Sequence, residues 1–388
     1  MHSRSRTTTL VALSGVFASV VALSGCGTDD AAHDHEHTPG AEPIALTYNG
    51  GIYVLDGATL AQQGEVKLDG YNRLNPAGDD DHLMVSTKDG FRVFDAYDRE
   101  FTGTEFPARK PGHVVRHAGK TVLFADGSGE VTVFDSAQLA HGTPKTEVYR
   151  AAAPHHGVAI ELSNRQLVVT LGTEDKRVGA VALDQDRKEL ARNEDCPGVH
   201  GEATAKDEAV VIGCQTGAVV YRDGKFTKVA SPDAYGRIGN MSGSADSPIV
   251  LGDYKVDKDA ELERPQRISL VNTADGTLRL VDIGTSYTFR SLGRGPQGEA
   301  LVLGTDGKIH VVDPVAGTVT RTIPVLGSWQ EPLDWQDARP ALFVRGGIAY
   351  VSDPAAKQVH RVDLADGKVT ATVTLAAAPN EISGVAGH

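Results

Sequence analysis

A short motif, V-x-D or a close variant of it, occurs eight times in this chain of 388 residues, nearly always about 40 or about 50 residues apart. Each copy follows a turn rich in Gly and Asp and precedes a second turn and another β-rich stretch. Self-similarity at this period is typical of a radially repeated β-structure. The eight copies are Tyr53-Val54-Leu55-Asp56, Val93-Phe94-Asp95, Val133-Phe134-Asp135, Val181-Ala182-Leu183-Asp184, Val220-Tyr221-Arg222-Asp223, Leu270-Val271-Asn272, Val311-Val312-Asp313 and Arg361-Val362-Asp363.

The repeats predict an all-β fold, an eight-bladed β-propeller, because one four-stranded sheet cannot bury both of its faces alone. Residues 44–68 supply three strands with no inner strand before them, and an inner strand at Glu381 has no strands after it. We therefore expect the N- and C-terminal strands to complete one blade and close the ring. Seven blades, with two units fused or one outside the ring, is the alternative. The predicted inner strands start near Tyr71, His113, His156, His200, Arg237, Tyr287, Trp329 and Glu381.

The N-terminus has the features of a secretory signal. Arg4 and Arg6 precede an apolar run over residues 10–23, which is too short to span a bilayer securely. The ending Leu23-Ser24-Gly25-Cys26 resembles a bacterial lipobox. We predict a signal peptide over residues 1–25 and an extracytoplasmic protein held at the outer face of the cell membrane by lipid on Cys26. An ordinary secreted protein with a free thiol is the alternative.

Composition sets the expected compartment and partners. The net charge of −13 is poorly suited to nucleic acid, so we expect no nucleic-acid binding. We also expect a monomer. In an oxidising compartment, Cys196 and Cys214 are predicted to form a disulfide. A metal-binding pair is the other interpretation, but the spacing lacks the C-x-x-C form.

Three predicted inner strands in successive blades begin alike, and each start carries a histidine. The segments are Pro111-Gly112-His113-Val114, Pro154-His155-His156-Gly157 and Pro197-Gly198-Val199-His200-Gly201. Equivalent positions in neighbouring blades face a common point at one mouth of the channel. Three imidazoles converging there match the nitrogen ligands that Zn2+ prefers. Rim histidines bonded to backbone carbonyls are the alternative.

Further ligand candidates surround these three. His117 lies four residues after His113, on the same strand face, whereas His155 points the other way unless a bulge intervenes. A water or a carboxylate could complete the shell, and Glu331 and Glu381 begin predicted inner strands elsewhere in the ring.

A second histidine group lies in residues 26–43, which are polar and predicted to form a flexible tether before a propeller over residues 44–388. His33, His35 and His37 alternate with Asp34 and Glu36. In a flexible segment these side chains can turn toward one cation, more weakly than a preformed site. A solvated linker is the alternative.

Together these segments resemble the secreted zinc metallochaperones that serve Azt-type zinc ABC importers. The resemblance rests on the His-Asp-His-Glu-His run, the three histidine segments, the cysteine pair and the propeller. It implies a high-affinity zinc site in the propeller, transfer to a partner solute-binding protein, and assistance from the tether. We therefore expect a metallochaperone and no enzyme.

Two other functions remain open. Propellers of the lactonase and lyase kinds hold a metal in the same channel, and a zinc with an open position could activate water. Glu161 and Glu202 are possible bases for such a hydrolase, although the sequence contains no G-x-S-x-G, H-E-x-x-H or Walker motif. A protein-interaction propeller is the third function, but its contact face would favour Trp, Tyr and Arg over clustered histidines.

Overall fold

The structure, a computed structural model, describes residues 40–386, and these residues are almost entirely β-strand. The first strands are β1 (Ile44–Tyr48), β2 (Gly50–Leu55), β3 (Gln62–Leu68), β4 (Arg73–Pro76), β5 (His82–Ser86), β6 (Gly90–Asp95), β7 (Glu100–Pro107), β8 (Pro111–His117), β9 (Lys120–Ala125), β10 (Glu130–Asp135) and β11 (Thr146–Arg150).

The middle strands are β12 (Ala159–Glu161), β13 (Leu167–Gly172), β14 (Arg177–Leu183), β15 (Glu189–Asn193), β16 (His200–Thr204), β17 (Val210–Cys214), β18 (Thr216–Arg222), β19 (Lys225–Ala230), β20 (Gly236–Arg237), β21 (Met241–Ser242), β22 (Ile249–Gly252), β23 (Arg267–Asn272) and β24 (Thr277–Asp282).

The last strands are β25 (Leu292–Arg294), β26 (Ala300–Leu303), β27 (Lys308–Asp313), β28 (Thr318–Pro324), β29 (Leu342–Arg345), β30 (Ile348–Asp353), β31 (Gln358–Asp363), β32 (Lys368–Thr374) and β33 (Ile382–Gly384). Two short 3-10 helices, Ser136–His141 and Lys206–Glu208, interrupt the strands. No helix in the described part of the chain is long and apolar enough to cross a membrane.

These strands form eight sheets, antiparallel except for the short β20, so the eight-bladed propeller is confirmed and the seven-bladed alternative is wrong. The strand at one edge of each sheet contacts corresponding strands of neighbouring sheets, for example β8 with β12 and β21 with β25, and these edges line the central channel. In the sheet that closes the ring, β33 pairs with β1 in the order β3-β2-β1-β33. The two ends of the chain therefore share one blade, as predicted.

The repeated Asp or Asn has a local role that explains its period. In seven of the eight repeats its side-chain oxygen accepts a hydrogen bond from a backbone N–H two residues later, in the turn to the outer strand. At Asp56, for example, Oδ1 accepts from the backbone nitrogen of Ala58 at 3.1 Å, and also from that of Thr59 at 2.7 Å. In the remaining repeat, Asp223 and Gly224 both have positive φ and form a two-residue hairpin turn. The motif therefore marks one turn per blade.

Apolar side chains are buried between neighbouring blades. One cluster extends across three consecutive sheets and includes Phe124, Val169 and Val219, each about 1 % exposed or less. Full burial of an aliphatic or aromatic side chain contributes about 1.5–3 kcal/mol. Because each sheet packs both faces in this way, the blades hold the channel-lining strands in fixed positions.

Three of the predicted inner strands begin at the wrong residue. The strand placed at Tyr287 begins at Leu292, and the one placed at Trp329 begins at Leu342. Both aromatic residues anchor loops instead: Tyr287 donates its hydroxyl to the carbonyl of Arg267 at 2.6 Å, and the Trp329 indole nitrogen donates to a carbonyl at 3.0 Å.

The third error concerns Arg237, which ends β20. This short strand pairs in parallel with β18 of the preceding blade, and the inner strand of the next blade is β21. The sequence shows β-propensity over this stretch but not which of two neighbouring sheets it joins.

The predicted disulfide is present. Cys196 and Cys214 are bonded, with a Cα–Cα distance of 4.9 Å, and both are completely buried. Cys214 ends β17, and its neighbour Gly213 pairs with His200 on the inner strand β16. The disulfide therefore fixes the chain on both sides of the strand that carries His200.

Candidate metal centre

His113, His156 and His200 lie together at one mouth of the channel. They come from three consecutive blades: His113 is on β8, His156 lies just before β12, and His200 begins β16. Their ring centroids are separated by 5.3 Å, 5.5 Å and 4.9 Å. One ring nitrogen from each lies within 4.8 Å of the others. The structure thus brings together the three residues that the sequence singled out.

Hydrogen bonds orient two of the three imidazoles. His156 Nδ1 is 2.5 Å from Asp126 Oδ2, and His200 Nδ1 is 2.7 Å from the carbonyl oxygen of Gly239. Because an acceptor occupies each Nδ1, Nε2 is left as the lone-pair nitrogen of a neutral ring. A carboxylate or a carbonyl behind a histidine is the usual way in which proteins fix the tautomer of a metal ligand.

Two glycines of the histidine segments permit this arrangement. A Cβ on Gly112 would lie 2.2 Å from Asp126 Oδ1, so a side chain there would displace the carboxylate that holds His156. Gly201 has a φ of +70°, and a Cβ on it would lie 2.3 Å from the carbonyl oxygen of Gly239. The glycines therefore bring the polar partners close enough to orient the rings.

The surroundings keep two of the imidazoles neutral. Burial, followed by the neighbouring histidines, lowers the pKa of His113 well below its usual value. Burial, followed by the charge of Arg237, lowers the pKa of His200 to about 3. His156 is more open, with 43 % of its side chain exposed. Neutral imidazole is the form that binds a metal.

The geometry suits a zinc ion. Tetrahedral zinc with bonds of about 2.0–2.1 Å places its ligand nitrogens about 3.3 Å apart, so side-chain rotations must close the cluster slightly. Three neutral nitrogens leave the fourth position of a tetrahedral ion open. The cluster therefore offers three nitrogen donors for a cation and leaves one position for a further ligand.

The other candidate histidines lie elsewhere. His155 is about 1 % exposed and is bonded to the carbonyl of Ala153 at 2.9 Å and to Thr170 Oγ1 at 3.1 Å. His117 Nε2 lies 2.6 Å from Glu208 Oε1, at the far end of β8. Neither joins the cluster. His33, His35, His37 and Cys26 lie outside the described residues.

The carboxylates considered as fourth ligands belong to ion pairs. Glu331 Oε1 accepts from Arg339 Nη1 at 2.8 Å. Glu381 Oε1 accepts from Tyr71 at 2.9 Å and from Arg290 at 3.0 Å. The Glu381 contacts join the closing blade to Tyr71 before β4 and to Arg290 before β25, and this carboxylate is not part of the histidine cluster.

The two possible bases differ in their surroundings. Glu161 is about 1 % exposed and is paired with Arg187 Nη2 at 2.6 Å. Glu202 lines a cavity of about 470 Å³ together with Arg116 and His117, and burial raises its pKa to about 7. An ion pair thus occupies Glu161, whereas Glu202 faces open space in the channel.

The polar groups that orient the histidines were not predicted from the sequence. Asp126 lies in the Asp126-Gly127-Ser128-Gly129 turn, which the sequence identifies only as a hairpin turn, and Gly239 acts through its backbone. One signal was available for Asp126: it belongs to the blade of His113, and its turn lies at the same end of the blade as the start of β8.

The described residues thus form an eight-bladed propeller with three histidines at one mouth of its channel. No family model matches the chain. It is similar to the zinc chaperone AztD of Citrobacter koseri, with 26 % identity over 293 residues, which cover 73 % of this chain and 67 % of that protein.

Two solved structures of AztD have the same fold as this chain. The structure of apo AztD from Citrobacter koseri matches with a TM-score of 0.75 and 23 % identity, covering 89 % of this chain and 97 % of that one. A second crystal structure of Citrobacter koseri AztD matches with a TM-score of 0.73 and 22 % identity, covering 89 % and 98 %. These matches support the fold, and the sequence similarity confirms the resemblance to zinc metallochaperones.

Proposed function

We propose that this protein is an extracytoplasmic zinc chaperone that binds one Zn2+ through His113, His156 and His200. The observation that carries the proposal is the convergence of three imidazoles from three consecutive blades, two of them oriented by Asp126 and by the carbonyl of Gly239. The similarity to the zinc chaperone AztD supports the same metal. Binding and release of zinc, without catalysis, is the expected activity.

The recipient we propose is the solute-binding protein of a zinc ABC importer. The cluster lies at a channel mouth, and His156 is partly exposed, so a second protein can reach the ion without opening the propeller. An open fourth position allows an acceptor ligand to bind before the histidines release the metal. Exchange through such a shared intermediate avoids free zinc.

Transfer can be measured directly. Zinc-loaded protein is mixed with apo solute-binding protein in the presence of a chelator that traps any free ion, and zinc in each separated protein is then quantified. We expect zinc to move to the recipient faster than it moves to the chelator alone. Equal rates with and without the recipient would contradict delivery.

The tether is proposed to assist this transfer. Replacing His33, His35 and His37 by Ala should leave one tightly bound zinc in the propeller and slow its delivery, because additional imidazoles can replace the histidines of the cluster stepwise. Identical transfer kinetics for the triple variant and the wild type, at equal zinc loading, would show that the segment acts only as a linker.

Membrane attachment is a separate proposal. The mature N-terminus is proposed to be lipidated at Cys26, which would hold the chaperone at the outer face of the membrane. Mass spectrometry of membrane-extracted protein would detect an acylated Cys26. Recovery of an unmodified cysteine in the soluble fraction would contradict the anchor.

A further inference from the structure

Two arginines stand beside the histidine cluster. Arg237 packs against the residue whose carbonyl orients His200, since a Cβ added to Gly239 would lie 2.5 Å from Arg237 Nη1. Arg177 begins β14, and its carbonyl accepts a hydrogen bond of 2.9 Å from Gly198, two residues before His200. The guanidinium of Arg237 therefore lies at the channel mouth of the three histidines. Besides burial, the charge of Arg177 lowers the pKa of both His113 and His200, so Arg177 also lies near the cluster.

The positive charge of these arginines is poorly compensated. A third arginine nearby, Arg73, has an ion pair with Glu381 at 3.3 Å. In residues 40–386, by contrast, no carboxylate forms an ion pair with Arg177 or Arg237. Burial and then the charge of Arg237 lower the pKa of Arg177, whereas the nearby charge of Asp126, which is already bonded to His156, raises it. Two positive charges thus lie near each other at the partly buried mouth.

This charge has a consequence for zinc. Three neutral imidazoles contribute no negative charge, so a bound Zn2+ would be repelled by both guanidinium groups. The ion also has an open fourth position. An anion that enters that position removes the repulsion and binds the metal in one step. A carboxylate can interact with both the zinc and the arginines, because one oxygen can bind zinc while the other accepts hydrogen bonds from a guanidinium group.

We propose that Arg177 and Arg237 form a carboxylate-binding subsite next to the histidine cluster, which supplies the fourth ligand of the metal from outside the propeller. The inference rests on the proposed zinc site. By linkage, the carboxylate raises zinc affinity by the same factor by which zinc raises carboxylate affinity. An acceptor that presents Asp or Glu would engage the ion while the histidines still hold it.

Zinc competition titrations test the subsite. The competitor is a nitrogen-donor chelator, so that it adds no carboxylate, and the buffer contains no coordinating anion. Wild type, Arg177→Gln and Arg237→Gln are compared at zero and saturating acetate. The matched control is Arg150→Gln, which removes the same charge from an outer strand, where Arg150 pairs with Glu130. A parallel series with the peptide acetyl-Gly-Asp-Gly-amide represents a protein carboxylate.

We expect acetate to lower the zinc dissociation constant of the wild type about tenfold, as one charge-assisted contact would. Arg177→Gln and Arg237→Gln should bind zinc more tightly than wild type without acetate, because a repelling charge is gone, and should gain little from it. Arg150→Gln should behave as wild type. An equal effect of the peptide identifies a protein side chain as the ligand, whereas an effect of acetate alone identifies a small anion.

Two results would overturn the proposal in distinguishable ways. One equivalent of zinc bound to the wild type with an affinity that neither acetate nor the peptide changes would remove the subsite and leave the metal site intact. Failure of the wild type to bind zinc at all would remove the metal site, and with it the subsite.

Discussion

Asp126 provides the most specific test of how the cluster is built. Its Oδ2 lies 2.5 Å from His156 Nδ1, and its Oδ1 lies 3.3 Å from the backbone nitrogen of Gly157. The side chain of Asp126 is only 15 % exposed. In Asp126→Asn the amide has a single acceptor oxygen, so it cannot serve both partners, and its NH2 group would favour the wrong tautomer of His156.

The expected loss of zinc affinity can be worked out from the hydrogen bond between Asp126 and His156. A hydrogen bond to a charged group contributes about 1.5–3 kcal/mol, and loss of a carboxylate behind a metal-bound histidine weakens metal affinity about 10–100-fold. We expect the zinc dissociation constant of Asp126→Asn to rise within that range, as measured by competition with a chelator of known affinity.

The chain offers a matched control. Asp306 Oδ1 lies 3.1 Å from His310 Nε2, so Asp306→Asn removes the same kind of carboxylate–histidine contact in another blade. Its zinc affinity should equal that of wild type. If Asp126→Asn also binds zinc within about twofold of wild type, orientation of His156 by Asp126 contributes nothing to the site.

Two further predictions concern stability. Replacing Cys196 and Cys214 by Ala should lower the free energy of unfolding by about 3 kcal/mol, the chain-entropy cost for their sequence separation of 18 residues, without changing zinc stoichiometry; an unchanged denaturation midpoint would contradict this. His113 and His200 have lowered pKa values, so the unfolded chain binds more protons below its own histidine pKa of about 6.5. The melting temperature of the metal-free protein should therefore fall as the pH is lowered from 6.5 toward 4, and it should fall less in His200→Ala. An equal fall of the melting temperature in the two proteins would contradict the lowered pKa of His200.

The fold could be predicted from the sequence because each repeat of the motif marks one turn of the chain. In seven of the eight repeats, the Asp or Asn of the motif lies at or just after the end of a strand and accepts a hydrogen bond within the next turn, as Asp56 and Asp313 do. The period of the motif therefore equals the period of the blades. The histidine cluster could be predicted for the same reason, because His113, His156 and His200 occupy matching places in successive repeats.

The remaining features depend on contacts that a repeat does not encode. Tyr287 and Trp329 lie in β-rich stretches, yet their polar atoms donate hydrogen bonds to backbone carbonyls and hold loops in place. The next strands therefore begin several residues later in the chain than predicted. Asp126, Arg177 and Arg237 act across blades, and only the folded ring shows which side chains meet at the mouth of the channel.

Crystallography can test directly whether one zinc binds between the imidazoles of His113, His156 and His200. Crystals of the protein grown with one equivalent of zinc would be measured on both sides of the zinc absorption edge. We expect a single strong anomalous peak about 2.0–2.1 Å from Nε2 of each of these three histidines. A zinc peak elsewhere in the propeller, with the three imidazoles unliganded, would contradict it.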